Sequence, residues 1–165
     1  EACVPVIAAI SGICYGGGMG LAAACDLRLA DETARFCVPA ARLGLAYPAD
    51  AVIDFVSTMG AQRARQALFT GAELPARMMQ DCGFLLAVTA PDRLMPEAND
   101  LANAIAANAP LSVRASKLAI RATIENSESL AAAAIAAGAH TFDSQDYAEG
   151  RQAFAERRKP HFTGE

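Results

Sequence analysis

Four glycines occupy five consecutive positions in Gly16-Gly17-Gly18-Met19-Gly20, directly after Tyr15. Without side chains, backbone can approach a ligand with nothing between. The apolar run 4–10 lies before this stretch and the alanine-rich segment 21–25 after it. A strand that enters a glycine turn and leaves as a helix gathers free N–H groups and the positive end of a helix dipole at one point. Such a point attracts negative charge, either a bound phosphate or an oxyanion that develops during a reaction. A close-packed strand-to-helix corner would use the same residues. Two further groups able to move a proton follow at Tyr47 and Asp50, with Asp54 one helical turn beyond Asp50. Read structurally, Tyr47 is a packed aromatic, Asp50 a carboxylate favoured in a helix's first turn, and Asp26 a hydrogen-bond acceptor before a strand.

The elements that must position these groups can be read along the chain. Residues 4–10 read as one core strand, buried on both faces. A short helix follows over 19–24, then strands over 26–30 and 34–38, with Asp31-Glu32-Thr33 as the turn between them and Pro39 as the stop. Residues 39–48 form a loop; helices are expected over 49–59, closed by Gly60, over 62–69, stopping at Gly71, and over 75–81. A strand over 84–88 precedes helices at about 93–107, 111–125, 127–141 and 144–158. Strands first and helices later describe a layered α/β core with a helical extension. The alanine-rich stretch 130–139 makes a narrow helix able to pack closely on another helix or another subunit.

Composition narrows the function classes. A length of 165 residues suffices for a sizeable core, and 53% of them are hydrophobic, largely through alanine. Fourteen Lys and Arg against eighteen Asp and Glu give a net charge of -4, with the basic residues mostly dispersed apart from the cluster Arg157-Arg158-Lys159, so neither nucleic acid nor membrane is an expected partner. No apolar run reaches the roughly 18 residues of a membrane span, and no signal-peptide pattern appears; the expected setting is cytoplasmic. Cys3, Cys14, Cys25, Cys37 and Cys82 have no C-x-x-C spacing, so no metal is expected, and they read as small buried hydrophobes in a reducing compartment. Neither a G-x-S-x-G elbow nor a suitably placed histidine supports a Ser-His-Asp reading. A nucleotide-binding reading can be weighed on Gly18-Met19-Gly20-Leu21-Ala22-Ala23, which satisfies G-x-G-x-x-A. The spacing behind it is poor, because the next strand starts too soon and Asp31 and Glu32 come too early to meet a ribose.

Several stretches together resemble the crotonase, or enoyl-CoA hydratase/isomerase, superfamily. They are Pro5-Val6-Ile7-Ala8-Ala9-Ile10-Ser11-Gly12, the glycine run with Leu21 and Ala22, Cys25-Asp26-Leu27-Arg28-Leu29-Ala30, and Phe36-Cys37-Val38-Pro39-Ala40-Ala41-Arg42-Leu43. Phe69-Thr70-Gly71, the region from Ala109 to Lys117 and the ending from Glu149 to Phe162 continue the likeness in the same order. The resemblance implies an α/β fold, a crotonase-like layered ββα spiral core with a C-terminal helical trimerisation region. It implies residues 1–90 for the core and 91–165 for the helical oligomerisation and CoA-capping region. It also implies that this chain corresponds to the C-terminal two-thirds of a typical member, the N-terminal part supplying one of two oxyanion-hole N–H groups.

Function follows from the same resemblance. Family members bind acyl-CoA thioesters and stabilise a thioester enolate on two backbone N–H groups, and Gly17 matches the second of these. Tyr15, Gly18, Gly20, Pro39, Ala40 and Leu43 match the substrate-binding surroundings, and Lys159 and Phe162 the segment near the CoA nucleotide. Tyr47 and Asp50 fall where relatives line the acyl pocket. Hydratases of the family activate water with two glutamates, whose places correspond here to Gly20 and Ala40, and neither can transfer a proton. The expectation is an acyl-CoA lyase or isomerase that needs no cofactor beyond the CoA of its substrate, is a poor hydratase, and assembles as a homotrimer or hexamer. A catalytically silent acyl-CoA-binding or assembly subunit is the alternative.

Overall fold

The computed structural model describes residues 2–165, and by its contacts the described chain divides into one compact unit of residues 6–99 and another of residues 2–5 with 100–165.

The first unit carries two small sheets. Strand β1 (Ile7–Ile10) pairs in parallel with β3 (Leu27–Asp31), which pairs in parallel with β6 (Ala87–Thr89). In the other sheet β2 (Ile13–Tyr15) runs parallel to β4 (Arg35–Cys37), and β4 is antiparallel to the short β5 (Leu74–Pro75). The run 4–10 is therefore not one strand delivered into the glycine turn. Gly12, with φ 68, bends the chain between β1 and β2, and it is β2 that enters the turn. Likewise the expected strand 84–88 is displaced to 87–89, because Phe84 and Leu85 are buried in the core before pairing begins.

Helix α1 (Gly17–Ala24) follows the glycine turn. Its far end is held by Arg28, whose guanidinium donates to the carbonyls of Ala22, Ala23 and Cys25 at 3.3, 3.3 and 2.5 Å and to Phe84 O at 2.7 Å. A cation at the negative pole of the helix, shared among the carbonyls of its last turn, is a physical reason for an arginine in this buried strand position. Asp26 accepts from Val6 N at 2.7 Å, the acceptor role expected of it, and Asp31 accepts from Thr33 N at 2.8 Å.

After β4, a 3-10 turn over Ala40–Leu43 lies inside the expected loop. Helix α2 (Ala49–Thr70) spans the two helices expected over 49–59 and 62–69, with a break at Gly60, whose φ of 72 and ψ of 157 are not helical, and a left-handed cap at Gly71. Helix α3 (Ala76–Asp81) completes this unit's framework. Phe36, Phe55, Phe84, Met19, Leu74 and Met79 fill its core, with the Phe36 and Phe84 rings edge to face at 5.7 Å. The chain passes between units within α4 (Leu94–Ala106).

The second unit is helical. Helices α5 (Pro110–Glu125) and α6 (Glu128–Thr141) form a hairpin closed by Asn126 in the left-handed region and by Ser127, whose hydroxyl caps α6 by accepting from Leu130 N. Helix α7 (Gln145–Glu156) is capped in the same way by Ser144. The buried carboxylate of Asp146 accepts from Thr163 N at 2.7 Å and Gly164 N at 3.0 Å, which folds the C-terminal tail back onto α7. Against the expectation that all five cysteines are buried, only Cys14 and Cys37 are; Cys25 and Cys82 are half-buried, and Cys3 is exposed among neighbours that are themselves at the surface. Among the described residues no helix is long and apolar enough to cross a membrane, and no group of His, Cys, Asp and Glu is placed to hold a metal.

Candidate active site

The glycine turn is built by two anchors. Gly16 takes φ 51 and ψ -114, a conformation open to glycine, while its N–H donates to Cys37 O at 2.9 Å and ties the turn to β4. Gly20 N then donates to Gly16 O at 3.0 Å and is the first N–H to close a turn of α1. The N–H groups of Gly17 and Gly18 precede that bond, at the positive end of the helix, and both residues are exposed. A helix start tied down at Gly16 and open at Gly17 presents fixed donors to an incoming oxyanion without reorganisation at the moment of reaction.

The Tyr47 side chain reaches this turn. Its ring packs on the buried Phe55 at 5.0 Å between centroids, and its hydroxyl donates to Gly16 O at 3.3 Å. The same hydroxyl lies over Gly20: a Cβ built on that glycine would collide with the phenolic oxygen and stand 3.5 Å from Tyr47 Cζ. Burial pushes the phenol's pKa up, so at neutral pH the hydroxyl keeps its proton and acts as a donor. Gly20 and Tyr47 thus fit together as a missing side chain and the group that fills its volume. Both residues were legible as candidates; their contact was not, because nothing in local pattern links a helix position to a loop residue beyond two intervening strands.

The remaining candidates divide. Ala40 packs against the core, at the start of the 3-10 turn for which Pro39 provides the carbonyl acceptor of Arg42 N and Leu43 N. Leu43 itself is exposed. Asp50 stands exposed in the first turn of α2 and accepts from Ala51 N at 3.1 Å, the local role of a first-turn carboxylate. Tyr15 turns its hydroxyl to Glu73, which Arg35 approaches at 3.7 Å; the hydrogen bond to Glu73 raises the Tyr15 pKa. That ion-paired trio went unread, since β5 is too short to leave a pattern. Arg42 also went unread: its stem lies where a Cβ at Gly71 would be, 2.7 Å from Cδ.

Lys159 and Phe162 belong to the helical unit. Lys159 is exposed, and the Phe162 ring lies on Gly150, at 3.5 Å from where a Cβ would stand. Phe162 lines an open cavity of about 430 Å³ together with Ser112, Asp146, Tyr147, Arg151 and Phe154.

A parallel strand running through a pinned glycine turn into a helix, with exposed N–H groups at the helix start, defines a layered α/β protein. The sequence model of the enoyl-CoA hydratase/isomerase family matches residues 1–165, and the chain belongs to that family, within the crotonase superfamily. It is similar to YngF of Bacillus subtilis strain 168, named for the same family, at 39% identity over 97% of this chain and 62% of the relative. Carnitinyl-CoA dehydratase of Proteus mirabilis is 34% identical over 97% of this chain and 63% of the relative. A crystal structure of an enoyl-CoA hydratase from Mycobacterium tuberculosis superposes with a TM-score of 0.91 at 32% identity, over 99% of this chain and 65% of that one. The chain thus spans about three-fifths of the length of the curated relatives it matches, and it has the crotonase-like α/β fold.

Proposed function

We propose that the full-length protein acts on an acyl-CoA thioester, that the Gly17 N–H helps to hold the thioester oxygen as an enolate forms, and that water addition is not its main reaction. The observation that carries this reading is the pinned glycine turn, anchored by Gly16 N to Cys37 O and opening its N–H groups at Gly17. Relatives named as hydratase and dehydratase of CoA esters support the substrate class. Gly20 and Ala40 stand where the family's two glutamates fall. Without them the acid–base share of hydration, typically 10²–10⁴-fold, has no carboxylate to supply it. Isomerisation, decarboxylation, hydrolysis or dehalogenation remain open to an enolate-stabilising pocket in which a group such as Asp50 serves the proton. Coenzyme A enters as part of the substrate, and no separate cofactor is required.

The test is a panel of acyl-CoA thioesters presented to the full-length protein, with binding and turnover measured separately. Binding with turnover of at least one non-hydration substrate is expected. Binding without turnover of any ester would instead establish a silent subunit, and tight NAD binding with no CoA affinity would overturn the reading altogether.

We propose further that α5 and α6 build a homotrimer, alone or paired into a hexamer. Ile120, Ile124 and Ile135 stay exposed on these helices, and α6 buries none of its residues within the chain. A monomer in sedimentation at micromolar concentration would remove these helices from any subunit interface.

A further inference from the structure

We propose that Tyr47 is a positioning residue for the oxyanion donor, acting through the single peptide unit that joins Gly16 to Gly17. This rests on the reading of Gly17 as an enolate-holding N–H. The carbonyl end of that peptide is Gly16 O, which accepts both from the Tyr47 hydroxyl at 3.3 Å and from Gly20 N at 3.0 Å. Its amide end is the Gly17 N–H. Because the peptide is planar and conjugated, donors on the carbonyl fix the plane and draw density from the nitrogen, which aims and strengthens the N–H opposite.

Three observations make the phenol suited to this. Its ring is seated on Phe55, so its direction is set by the core and not by solvent. Burial raises its pKa, so it keeps the proton it must donate. Gly20 gives it the space: any side chain there would meet the hydroxyl and drive it off Gly16 O. The glycine at position 20 and the tyrosine at position 47 are therefore one device. The small residue admits the hydroxyl, and the hydroxyl braces the turn that the small residue would otherwise leave open on that side.

The experiment uses butyryl-CoA isotope-labelled at its thioester carbonyl, bound to the full-length protein, with the carbonyl stretch read by infrared difference spectroscopy and affinity read by calorimetry. In the parent the stretch should move to lower frequency on binding, the mark of a polarised carbonyl. Tyr47→Phe should bind with affinity changed by less than about threefold and return the stretch toward its free value, since most of the binding contacts lie away from the carbonyl. Gly20→Ala should likewise return the bound stretch toward its free value in the parent background and add almost nothing in the Tyr47→Phe background, because the hydroxyl it displaces is already gone. If Tyr47→Phe leaves the bound stretch where the parent has it, the bracing role is wrong, whatever happens to turnover. If Gly20→Ala and Tyr47→Phe shift it additively, the two residues are independent and the device is wrong. If the parent binds the ester with an unshifted carbonyl, or does not bind it, the oxyanion reading of Gly17 fails first and the role of Tyr47 falls with it.

Discussion

Glu149 meets Arg158 with both carboxylate oxygens, Oε1 at 2.6 Å from Nη1 and Oε2 at 2.8 Å from Nη2, and the same Oε1 accepts from His161 N at 2.8 Å. A two-pronged ion pair of this kind fixes geometry as well as charge. It holds the chain beyond α7 in place, so that the following residues reach Asp146.

A pH dependence follows from the sign of the Glu149 shift. The hydrogen bond from Arg158, with that from His161 N, lowers the Glu149 pKa from 4.5 to about 2. A depressed carboxyl contributes stability that is fully present above its unfolded value and is lost as pH falls through the folded one. Amide protection at His161, corrected for intrinsic exchange, should hold down to about pH 4.5 and be lost between there and about 2. Glu149→Gln should lose it at neutral pH; unchanged protection in that variant would show that the ion pair does not fix the tail.

The Gly20 and Tyr47 contact alters what restoring water-activating carboxylates would achieve. The unmodified protein should hydrate crotonyl-CoA poorly. Gly20→Glu with Ala40→Glu should help little, because the new side chain at 20 runs into the phenol. Adding Tyr47→Ala to that pair should raise hydration, up to the 10²–10⁴-fold typical of general acid–base catalysis. Efficient hydration by the parent, in a coupled absorbance assay, would show that other groups activate water.

Arg28 is expected to be the costliest buried polar residue to remove. Arg28→Leu leaves the Ala22, Ala23, Cys25 and Phe84 carbonyls without their shared donor, at roughly 2–4 kcal/mol in total, from about 1–3 kcal/mol for an orphaned buried group. Urea unfolding of the full-length protein measures this directly; a loss below about 0.5 kcal/mol, the range of an ordinary surface change, would mean that water takes over those carbonyls.

Much of the fold could be read from residue pattern, and the exceptions have definite causes. Gly60 and Gly71 marked helix limits because their backbone angles are open chiefly to glycine, and the structure places both outside helical geometry. Ser127 and Ser144 sit at helix starts as capping chemistry requires. Strand β2 was invisible because Ile13-Cys14-Tyr15 is too short to show a period, and its separation from β1 rests on the conformation of Gly12 alone. At the site, Gly17 was legible from local sequence, since its role depends on a turn. The Tyr47 hydroxyl over Gly20 is a tertiary contact set by Phe55, and no spacing rule encodes which loop side chain will find the volume a glycine leaves.

The last prediction concerns the C-terminal tail and the nucleotide end of a CoA ester. Arg157 takes φ 54 and ends α7, Arg158 is committed to Glu149 and Glu156, and Lys159 is exposed beside them, so the three basic residues divide between structure and surface. An exposed lysine at a helix end gains only a few tenths of a kcal/mol from the dipole, which leaves its charge available for phosphate groups. Phe162 differs, because its ring rests on Gly150 and lines the cavity with Arg151 and Tyr147, where a flat apolar face suits an adenine. Lys159→Ala should raise the dissociation constant for CoA esters with strong salt dependence, and Phe162→Ala should raise it with little. Both should leave turnover at saturation nearly unchanged, as contacts far from the reacting centre act as uniform binding. Amide protection at Thr163 and Gly164, which Asp146 holds, separates lost contact from lost tail structure in Phe162→Ala. Equal affinity of both variants and the parent at low salt would place this tail outside the binding site.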